Sequence, residues 1–221
     1  MTQALIFGTG TFSRQLADEM LASRRADSVI GFVADGDSEE RSLDGLPVLP
    51  LERAEALWSR SSVELLVGAP AGASPMPITG WRRAAFHGLR GRGARIGGFV
   101  HPNARIFPGA VLHPSAIVLA RAYIESLARI GRNVVMECDS YVTQACSVGA
   151  HSYLGPSSLV AGQVVLHAEV WLDTNATLRS GLTICRGARV AAGAVVQQDL
   201  YPFQEVSARA PRLSDPHGTA P

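Results

Sequence analysis

Residues 124–148 read IESLARIGRNVVMECDSYVTQACSV, and every sixth residue of this stretch is aliphatic or Met. The pattern extends in both directions, from Val100 to Val196, over 17 positions at a spacing of six. A second series, four residues after each of these positions, consists mostly of small residues such as Ala128 and Ala176. A period of six fits neither the helical repeat nor simple strand alternation. It is the signature of hexapeptide repeats that stack into a parallel β-helix.

The repeat also predicts the dimensions of this β-helix. Three hexapeptides form one coil of 18 residues, so the 17 positions make about five and two-thirds coils. Each coil then lies about 4.8 Å above the previous one, which is the spacing of neighbouring strands. Aliphatic side chains of successive coils fill the interior, and residues 18 apart share an edge. We predict residues 99–200 as the β-helix and 201–221 as a C-terminal tail.

Residues 1–98 carry no such repeat and alternate predicted strands with predicted helices. The strands are predicted at 4–8, 29–33 and 63–67, and the helices at 11–23, 51–59 and 78–90. This alternation predicts a small parallel α/β sheet, a Rossmann-like unit of mononucleotide size. Fewer than 100 residues provide only half of a dinucleotide site, which argues against an NAD-dependent dehydrogenase.

Two features of this first part are candidates for nucleotide binding. The segment from Gly8 and Gly10 through Thr11 to Ser13 joins the first strand to the first helix. Its glycines would let backbone amides approach a phosphate at the helix N-terminus, or they serve a turn that needs unusual φ angles. Ser13 replaces the third glycine of the dinucleotide fingerprint. Asp35 follows the second strand, where it either accepts a hydrogen bond from a ribose hydroxyl or forms part of a turn.

Composition excludes several classes of function. Hydrophobic residues make up 47% of the chain and charged residues 18%, so a real core is expected. The net charge of +1 gives no support for a nucleic-acid or membrane-surface partner. The three cysteines form no CxxC pair, which argues against disulfides and structural zinc. The first residues do not resemble a signal peptide, and no apolar run approaches the ~20 residues of a membrane span, so we expect a cytoplasmic protein.

The two-part layout resembles one group of bacterial enzymes, the hexapeptide-repeat acyltransferases of the sialic acid O-acetyltransferase and nucleotide-aminosugar N-acetyltransferase type. The resemblance spans roughly residues 3 to 205. It rests on ALIFGTGTFSRQLADEML at 4–21, GFVADGD at 31–37, DGLPVLP at 44–50, FVHPNARI at 99–106 and LTICRGARVAAGAVVQQDL at 182–200. The repeat alone is typical of the broad superfamily, and the two-domain layout with the HPNA entry narrows it.

The resemblance implies a left-handed parallel β-helix that assembles as a homotrimer. It further implies that acetyl-CoA or another acyl-CoA lies in the groove between neighbouring β-helices, with the acceptor opposite. The α/β domain would hold the nucleotide of a nucleotide-linked amino sugar. The activity implied is acyl transfer to that sugar for bacterial surface glycan synthesis, without a metal.

Residues carry over from the group one position at a time. Gln144 stands where the group has its catalytic histidine, Tyr153 where it has a second histidine, and Glu137 where it has an asparagine. Gly162, 18 residues after Gln144, matches a glycine whose amide faces the thioester carbonyl and can stabilise an oxyanion. Ser180, another 18 residues onward, is predicted to line the CoA arm.

The missing histidine favours an amine acceptor over a hydroxyl. A hydroxyl needs a base, which contributes ~10²–10⁴ in rate, whereas a neutral amine already attacks a thioester. Gln144 cannot take a proton but can hold an amine or a carbonyl by hydrogen bonds. Glu137 and Asp139 in the preceding turn are the candidate replacement bases, unless they are exposed turn carboxylates. The alternatives are transfer to a hydroxyl or a non-sugar amine, and a non-catalytic binding or assembly subunit.

The histidines of the β-helix are not predicted to bind a metal. His113 and His167 share an edge but lie three coils apart, roughly 14 Å by strand spacing, which is too far for one metal ion. His101 and His113 each precede a proline and are predicted to shape turns. His151 belongs to a different edge from Gln144, and a neighbouring subunit could bring it to the cleft.

Overall fold

The computed structural model describes residues 3–23, 29–34, 41–59, 62–72 and 78–208. The first part of the chain forms an α/β domain from these elements: β1 (Gln3–Phe7), α1 (Thr11–Ala22), β2 (Val29–Val33), β3 (Arg41–Leu43), β4 (Leu46–Leu49), α2 (Leu51–Trp58), β5 (Val63–Val67) and α3 (Ile78–Gly91). The sheet order is β3-β4-β2-β1-β5. All its neighbouring strands are parallel except β3, which runs antiparallel to β4 at the edge. The predicted α/β alternation is therefore confirmed.

The β3–β4 hairpin is an element that we did not predict from the sequence. Its turn consists of Asp44 and Gly45, both with positive φ, at 51° and 79°. An Asp-Gly pair between short apolar strands is a strong hairpin signal, because both residues tolerate the left-handed conformation. The flanking segments are only three and four residues long, so they are too short for a clear alternating pattern.

From Phe99 onward the chain forms a parallel β-helix with three sheets. Sheet 1 contains β6 (Phe99–Val100), β9 (Ile117–Val118), β12 (Val135–Met136), β15 (Tyr153–Leu154), β18 (Trp171–Leu172), β21 (Arg189–Val190) and β23 (Glu205–Val206). Sheet 2 contains β7 (Arg105–Ile106), β10 (Tyr123–Ile124), β13 (Tyr141–Val142), β16 (Leu159–Val160), β19 (Thr177–Leu178) and β22 (Val195–Val196). Sheet 3 contains β8 (Val111–Leu112), β11 (Arg129–Ile130), β14 (Ser147–Val148), β17 (Val165–Leu166) and β20 (Thr183–Ile184).

The register from β6 to β22 confirms the predicted coil of 18 residues, whereas β23 pairs with β21 at a shorter spacing, Glu205 with Arg189. Tyr123 pairs with Tyr141, and Tyr141 pairs with Leu159. The second residue of nearly every strand points inward, and with the small residues of the second series it forms one continuous buried core. Val100 and Ile106 hold the same strand position but are each 38% exposed. They belong to the first coil, so no coil lies beneath them.

Tight turns separate the strands, and most of them use the left-handed conformation. From Arg121 to Asn175, the third residue of each turn has φ between 53° and 64° although it is not glycine. At the two turns with the sequence His-Pro, a hydrogen bond to the histidine imidazole stabilises the turn instead. Nδ1 of His101 accepts the amide of Asn103 at 3.0 Å, and Nδ1 of His113 accepts the amide of Ser115 at 3.1 Å. These histidines shape their turns, as predicted.

The α/β domain packs against sheet 1. The outward residues of this sheet are large and apolar over five coils, for example Phe99, Val135 and Trp171, and they are buried against α1. Sheets 2 and 3 present a mixture of Arg, Tyr, Ser, Thr and aliphatic residues outward, and this part of the surface remains open. Burial of the apolar face is the main term that holds the two domains together.

The end of the β-helix extends beyond the predicted boundary. Glu205–Val206 pairs with Arg189–Val190, so the first residues of the predicted tail continue sheet 1. Residues 209–221 lie outside the described part of the chain. Among the helices that the structure describes, none has the length and apolar character to cross a membrane.

Candidate functional site

The turns between sheet 2 and sheet 3 form one edge of the β-helix, here called the Gln144 edge: residues 125–128, 143–146, 161–164 and 179–182. Gln144 is exposed on this edge, and Ala145 after it adopts the left-handed conformation with φ of 56°. The Gln144 carbonyl accepts the amide of Gln163 from the coil above at 3.1 Å. The backbone of the turn is therefore fixed while its carboxamide projects from the edge.

Gly162 lies directly above Gln144, as the 18-residue coil predicts. A Cβ atom placed on Gly162 would lie 3.7 Å from Oγ1 of Thr143 and 3.8 Å from Cγ of Gln144, which is ordinary contact. Its carbonyl accepts the amide of Gly181 at 2.9 Å. Its own N–H has no acceptor among the described residues, so it is a free donor beside Gln144. Ser180 is exposed one coil higher on the same edge.

A carboxylate that we did not predict also belongs to this edge. Glu125 is half-buried in the turn one coil below Gln144. Its Oε2 accepts the backbone N–H of Gln144 at 2.8 Å, and its Oε1 accepts the hydroxyl of Tyr141 at 2.5 Å. The signal was present in the sequence, because Glu125 lies 18 residues before Thr143 and so shares its turn position.

Glu137 lies on a different edge, between sheets 1 and 2, beneath helix α1. Its side chain is almost completely buried and accepts hydrogen bonds from Nε2 of Gln15 and the hydroxyl of Tyr153, both at 2.8 Å. Burial raises the pKa of Glu137 because it disfavours the charged form, and the two hydrogen bonds only partly oppose this rise. The structure therefore does not bring Glu137 to Gln144 within one chain.

Asp139 is exposed on that same edge and pairs with Arg121 of the coil below, at 2.6 Å. The hydrogen bond from Arg121 lowers the pKa of Asp139. A carboxylate that is held charged by an arginine binds a proton weakly, so its chemistry suits an ion pair better than a base.

Replacing Glu137 with Gln is expected to make the protein more stable relative to wild type as the pH rises. A carboxyl whose pKa is raised by folding contributes stability below its unfolded pKa, and this contribution is lost as the pH rises through the folded pKa. Gln is neutral at every pH, so the difference in unfolding free energy between Glu137→Gln and wild type should shift in favour of the variant from pH 4 to pH 8. Urea denaturation at several pH values measures it.

Asp139→Asn is the matched control for this prediction. Because the pKa of Asp139 is lowered, its stabilising contribution is present at neutral pH and lost as the pH falls, so the trend has the opposite sign. A difference between Glu137→Gln and wild type that does not change with pH would contradict the assignment of Glu137 as a carboxyl held against its charged form.

Tyr153 belongs to the contact between the two domains. Its ring stacks on Trp171 with centroids 4.0 Å apart, and Phe12 of α1 contacts its edge at 6.4 Å. Burial raises the pKa of the phenol, which keeps it protonated as a donor to Glu137. Tyr153 and Glu137 are thus paired, and both lie beside the N-terminal half of α1.

The glycines before α1 are explained by close packing against the loop that follows β5. A Cβ on Gly8 would lie 2.2 Å from the Ala69 carbonyl oxygen, and one on Gly10 would lie 2.1 Å from that of Pro70. Gly8 also has φ of 94°. The hydroxyl of Ser13 bonds both the amide and the carbonyl of Ala69, at 2.8 and 3.1 Å. Ser13 therefore has a structural reason to replace glycine.

The two glycine amides are already used within the protein. Gly8 donates to the Val33 carbonyl at 2.8 Å, and Gly10 donates to the Ala69 carbonyl at 2.9 Å. Gly10 is the N-cap of α1, whose first turn starts at the exposed Thr11 and has no side-chain cap. The backbone amides that remain available to bind an anion are therefore those of the first turn of α1. Asp35 lies outside the described residues.

His151 takes part in a buried network that links α3 to the β-helix. Its Nδ1 lies 3.0 Å from Nδ2 of Asn133, whose Oδ1 accepts a hydrogen bond from Arg82 at 2.7 Å. Burial lowers the pKa of His151 to about 4, so the ring is neutral at neutral pH. No group of three or more His, Cys, Asp or Glu side chains suited to a metal occurs in the described part of the chain.

Solved structures with the same architecture include proteins from three bacteria. A histidine-to-asparagine variant of perosamine N-acetyltransferase from Caulobacter crescentus, in complex with CoA and GDP-perosamine, has 23% identity and a TM-score of 0.81, with 94% of each chain covered. The acetyltransferase domain of PglB from Neisseria gonorrhoeae, in complex with acetyl coenzyme A, has 20% identity and a TM-score of 0.80, with 94% of this chain and 97% of that chain covered.

The third structure is WeeI from Acinetobacter baumannii, with 16% identity, a TM-score of 0.67 and coverage of 94% and 97%. No protein-family model matches the sequence. At these identities the likeness concerns the fold. The chain therefore shares its fold, over nearly its whole length, with these bacterial proteins, two of which are acetyltransferases that bind CoA or its acetyl form.

Proposed function

We propose that the protein is an acyl-CoA-dependent N-acyltransferase that transfers an acyl group, in the simplest case acetyl, to the amine of a nucleotide-linked amino sugar. The observation that carries the proposal is the stack of Gln144, Gly162 and Ser180 on one edge, with the Gly162 amide free. The fold that this chain shares with the Caulobacter protein, which binds CoA and GDP-perosamine, supports the proposed activity.

The proposed roles follow from the position of each group. The N–H of Gly162 would donate to the thioester oxygen, which becomes negatively charged as the amine adds. Ser180, one coil higher, would line the pantetheine arm of CoA. Gln144 would hold the acceptor amine by its carboxamide oxygen, because that oxygen accepts hydrogen bonds.

The nucleotide would bind at the start of α1, where Thr11 is exposed and the first-turn amides have no intrahelical acceptor. Gly8 and Gly10 would contribute by allowing the tight packing of this turn, since their own amides are bonded within the protein. Asp35 stays a predicted ribose contact. Glu137 and Tyr153 are bonded to each other beneath α1, so a contact between Tyr153 and the acceptor sugar stays a prediction.

A homotrimer would supply the second wall of the acyl-CoA groove. Four aliphatic side chains on sheets 2 and 3 and on the Gln144 edge are 40% to 66% exposed: Val111, Leu127, Val165 and Val195. They lie on four different coils and form no single apolar patch, so the proposal of a trimer rests on the groove that acyl-CoA needs. We expect sedimentation equilibrium to give a mass three times that of the 23.4 kDa chain. A mass of one chain would leave the groove open on one side and contradict this arrangement.

The proposed activity is tested by mass spectrometry of mixtures that contain acetyl-CoA and a panel of nucleotide-linked amino sugars. Addition of one acetyl group to one sugar supports the proposal and indicates that Gln144 does not prevent turnover. Mass detection avoids the thiol background of the three cysteines. CoA binding without product on any sugar would favour another acceptor or a non-catalytic binding subunit. The predicted replacement of the histidine base by Gln144 leaves both alternatives open.

A further inference from the structure

The carboxylate of Glu125 lies at the level of Gln144, although Glu125 itself belongs to the coil below. Its side chain extends upward along the edge, so that Oε2 meets the Gln144 N–H at 2.8 Å and Oε1 meets the Tyr141 hydroxyl. A carboxylate has about four lone-pair sites, and these two donors occupy two of them. Because the side chain is only half-buried, the remaining sites can receive a proton from a group bound on the edge.

The other carboxylates that we considered are placed less well for this task. Glu137 is buried beneath α1 on the neighbouring edge and is already bonded to Gln15 and Tyr153. Asp139 lies on that same edge in an ion pair with Arg121. Among the described residues of the Gln144 edge, Glu125 is the carboxylate that contacts the backbone of Gln144 directly.

We propose that Glu125 is the proton acceptor of the acyl transfer, held in place by Tyr141 and by the backbone of Gln144. This inference rests on the proposed function and names the group that replaces the missing histidine. The amine nitrogen forms a bond to the thioester carbon while the carbon–sulfur bond breaks. The nitrogen gives up one proton to the Glu125 carboxylate, and the carboxyl returns a proton to the CoA thiolate. The products are the N-acyl sugar and free CoA thiol.

The experiment compares wild type, Glu125→Gln and Glu55→Gln in turnover and in CoA binding. Gln has the size of Glu and keeps an oxygen for the Gln144 N–H, but it cannot accept a proton. We expect Glu125→Gln to lower kcat by about 10²-fold, at the lower end of general-base effects, and to leave the Kd for CoA unchanged. Glu55→Gln is the same substitution on α2, where Glu55 pairs with Arg92, and it should have the turnover of wild type.

The pH dependence separates a proton acceptor from a purely structural residue. The sugar amine titrates in both proteins, so the informative quantity is the ratio of wild-type to Glu125→Gln turnover. This ratio should grow with pH if Glu125 takes up a proton, and it should be the same at every pH if the role of Glu125 is structural. The titratable groups that face Glu125 are Tyr141, Tyr123 beside it, and Cys146, while Arg105 stacks on Tyr123.

These neighbours do not produce the same signal. Glu125 raises the pKa of Tyr141 to about 12, and burial raises the pKa of the Cys146 thiol. Wild-type kcat and pH dependence in Glu125→Gln, with product still formed, would overturn the role of Glu125 and leave the proposed function intact. A ratio that stays large at low pH would indicate a structural role and would also overturn it. Failure of wild type to acetylate any amino sugar would remove the proposed function and this role together.

Discussion

Replacing Arg82 with alanine is expected to lower the free energy of unfolding by about 3–5 kcal/mol, the cost typical of breaking a buried charged network. The guanidinium of Arg82 is 1% exposed. It donates to the carbonyls of Val67 and Gly68 and to Oδ1 of Asn133. These partners belong to the end of β5 and to a turn of the β-helix, so Arg82 joins the two domains. Alanine would leave three buried acceptors without a donor.

Arg83→Ala is the matched control for this prediction. Arg83 is the next residue on α3, exposed, and paired with Glu169 at 3.0 Å. An exposed pair of this kind contributes about 0–1 kcal/mol. Urea denaturation followed by circular dichroism measures both variants at the same protein concentration. Equal losses for Arg82→Ala and Arg83→Ala would mean that the buried network contributes no more to stability than an exposed ion pair. Burial lowers the pKa of Arg82 to about 9, so the charge is present at neutral pH.

Replacing Gly162 with Gln is expected to reduce acyl transfer by about 10³-fold while the fold is retained. The loss is at the upper end of effects seen when an oxyanion donor is removed, because the new side chain would cover the free amide and fill the space for the thioester. The fold should tolerate the change, since Gln144 occupies the same turn position one coil below. A Cβ at this position makes only ordinary contacts.

Thr174→Gln introduces the same side chain at the same position of an exposed turn on the edge between sheets 1 and 2. It should have wild-type turnover. Thermal unfolding of both variants checks that the fold is intact, and steady-state kinetics with acetyl-CoA gives the rates. We further expect Gly162→Ala to lose less activity than Gly162→Gln, because its methyl group leaves part of the space open. Wild-type rates in Gly162→Gln would place the thioester elsewhere.

The architecture of the β-helix was predictable because its repeat has a constant length. Every coil contains 18 residues without an insertion from Val100 to Val196, so a residue number alone gives the edge and the level of a side chain. This arithmetic placed Gly162 and Ser180 above Gln144 correctly. The same arithmetic in the other direction leads from Thr143 to Glu125, whereas Glu137 and Asp139 belong to the preceding turn, which lies on another edge.

The face of the β-helix that the α/β domain covers was also predictable from the sequence, although from a weaker pattern. Phe99, Ile117, Val135, Tyr153 and Trp171 follow one another at intervals of 18 and all point outward from sheet 1. A row of large apolar residues on the outside of a β-helix indicates a surface that another element covers. The corresponding rows on sheets 2 and 3 include arginine, serine and threonine.

The sequence by itself determined the β-helix, its register, the α/β character of the first domain and the stack on the Gln144 edge. Each of these follows from local periodicity, because the spacing of apolar residues along the chain matches the spacing of buried positions in the fold. Tertiary structure alone decided that Glu137 is buried under α1, that Arg82 spans both domains, and that the amides of Gly8 and Gly10 are occupied. These states depend on partners more than 20 residues away in the chain, and the burial and pKa of a polar group are set by its neighbours in space.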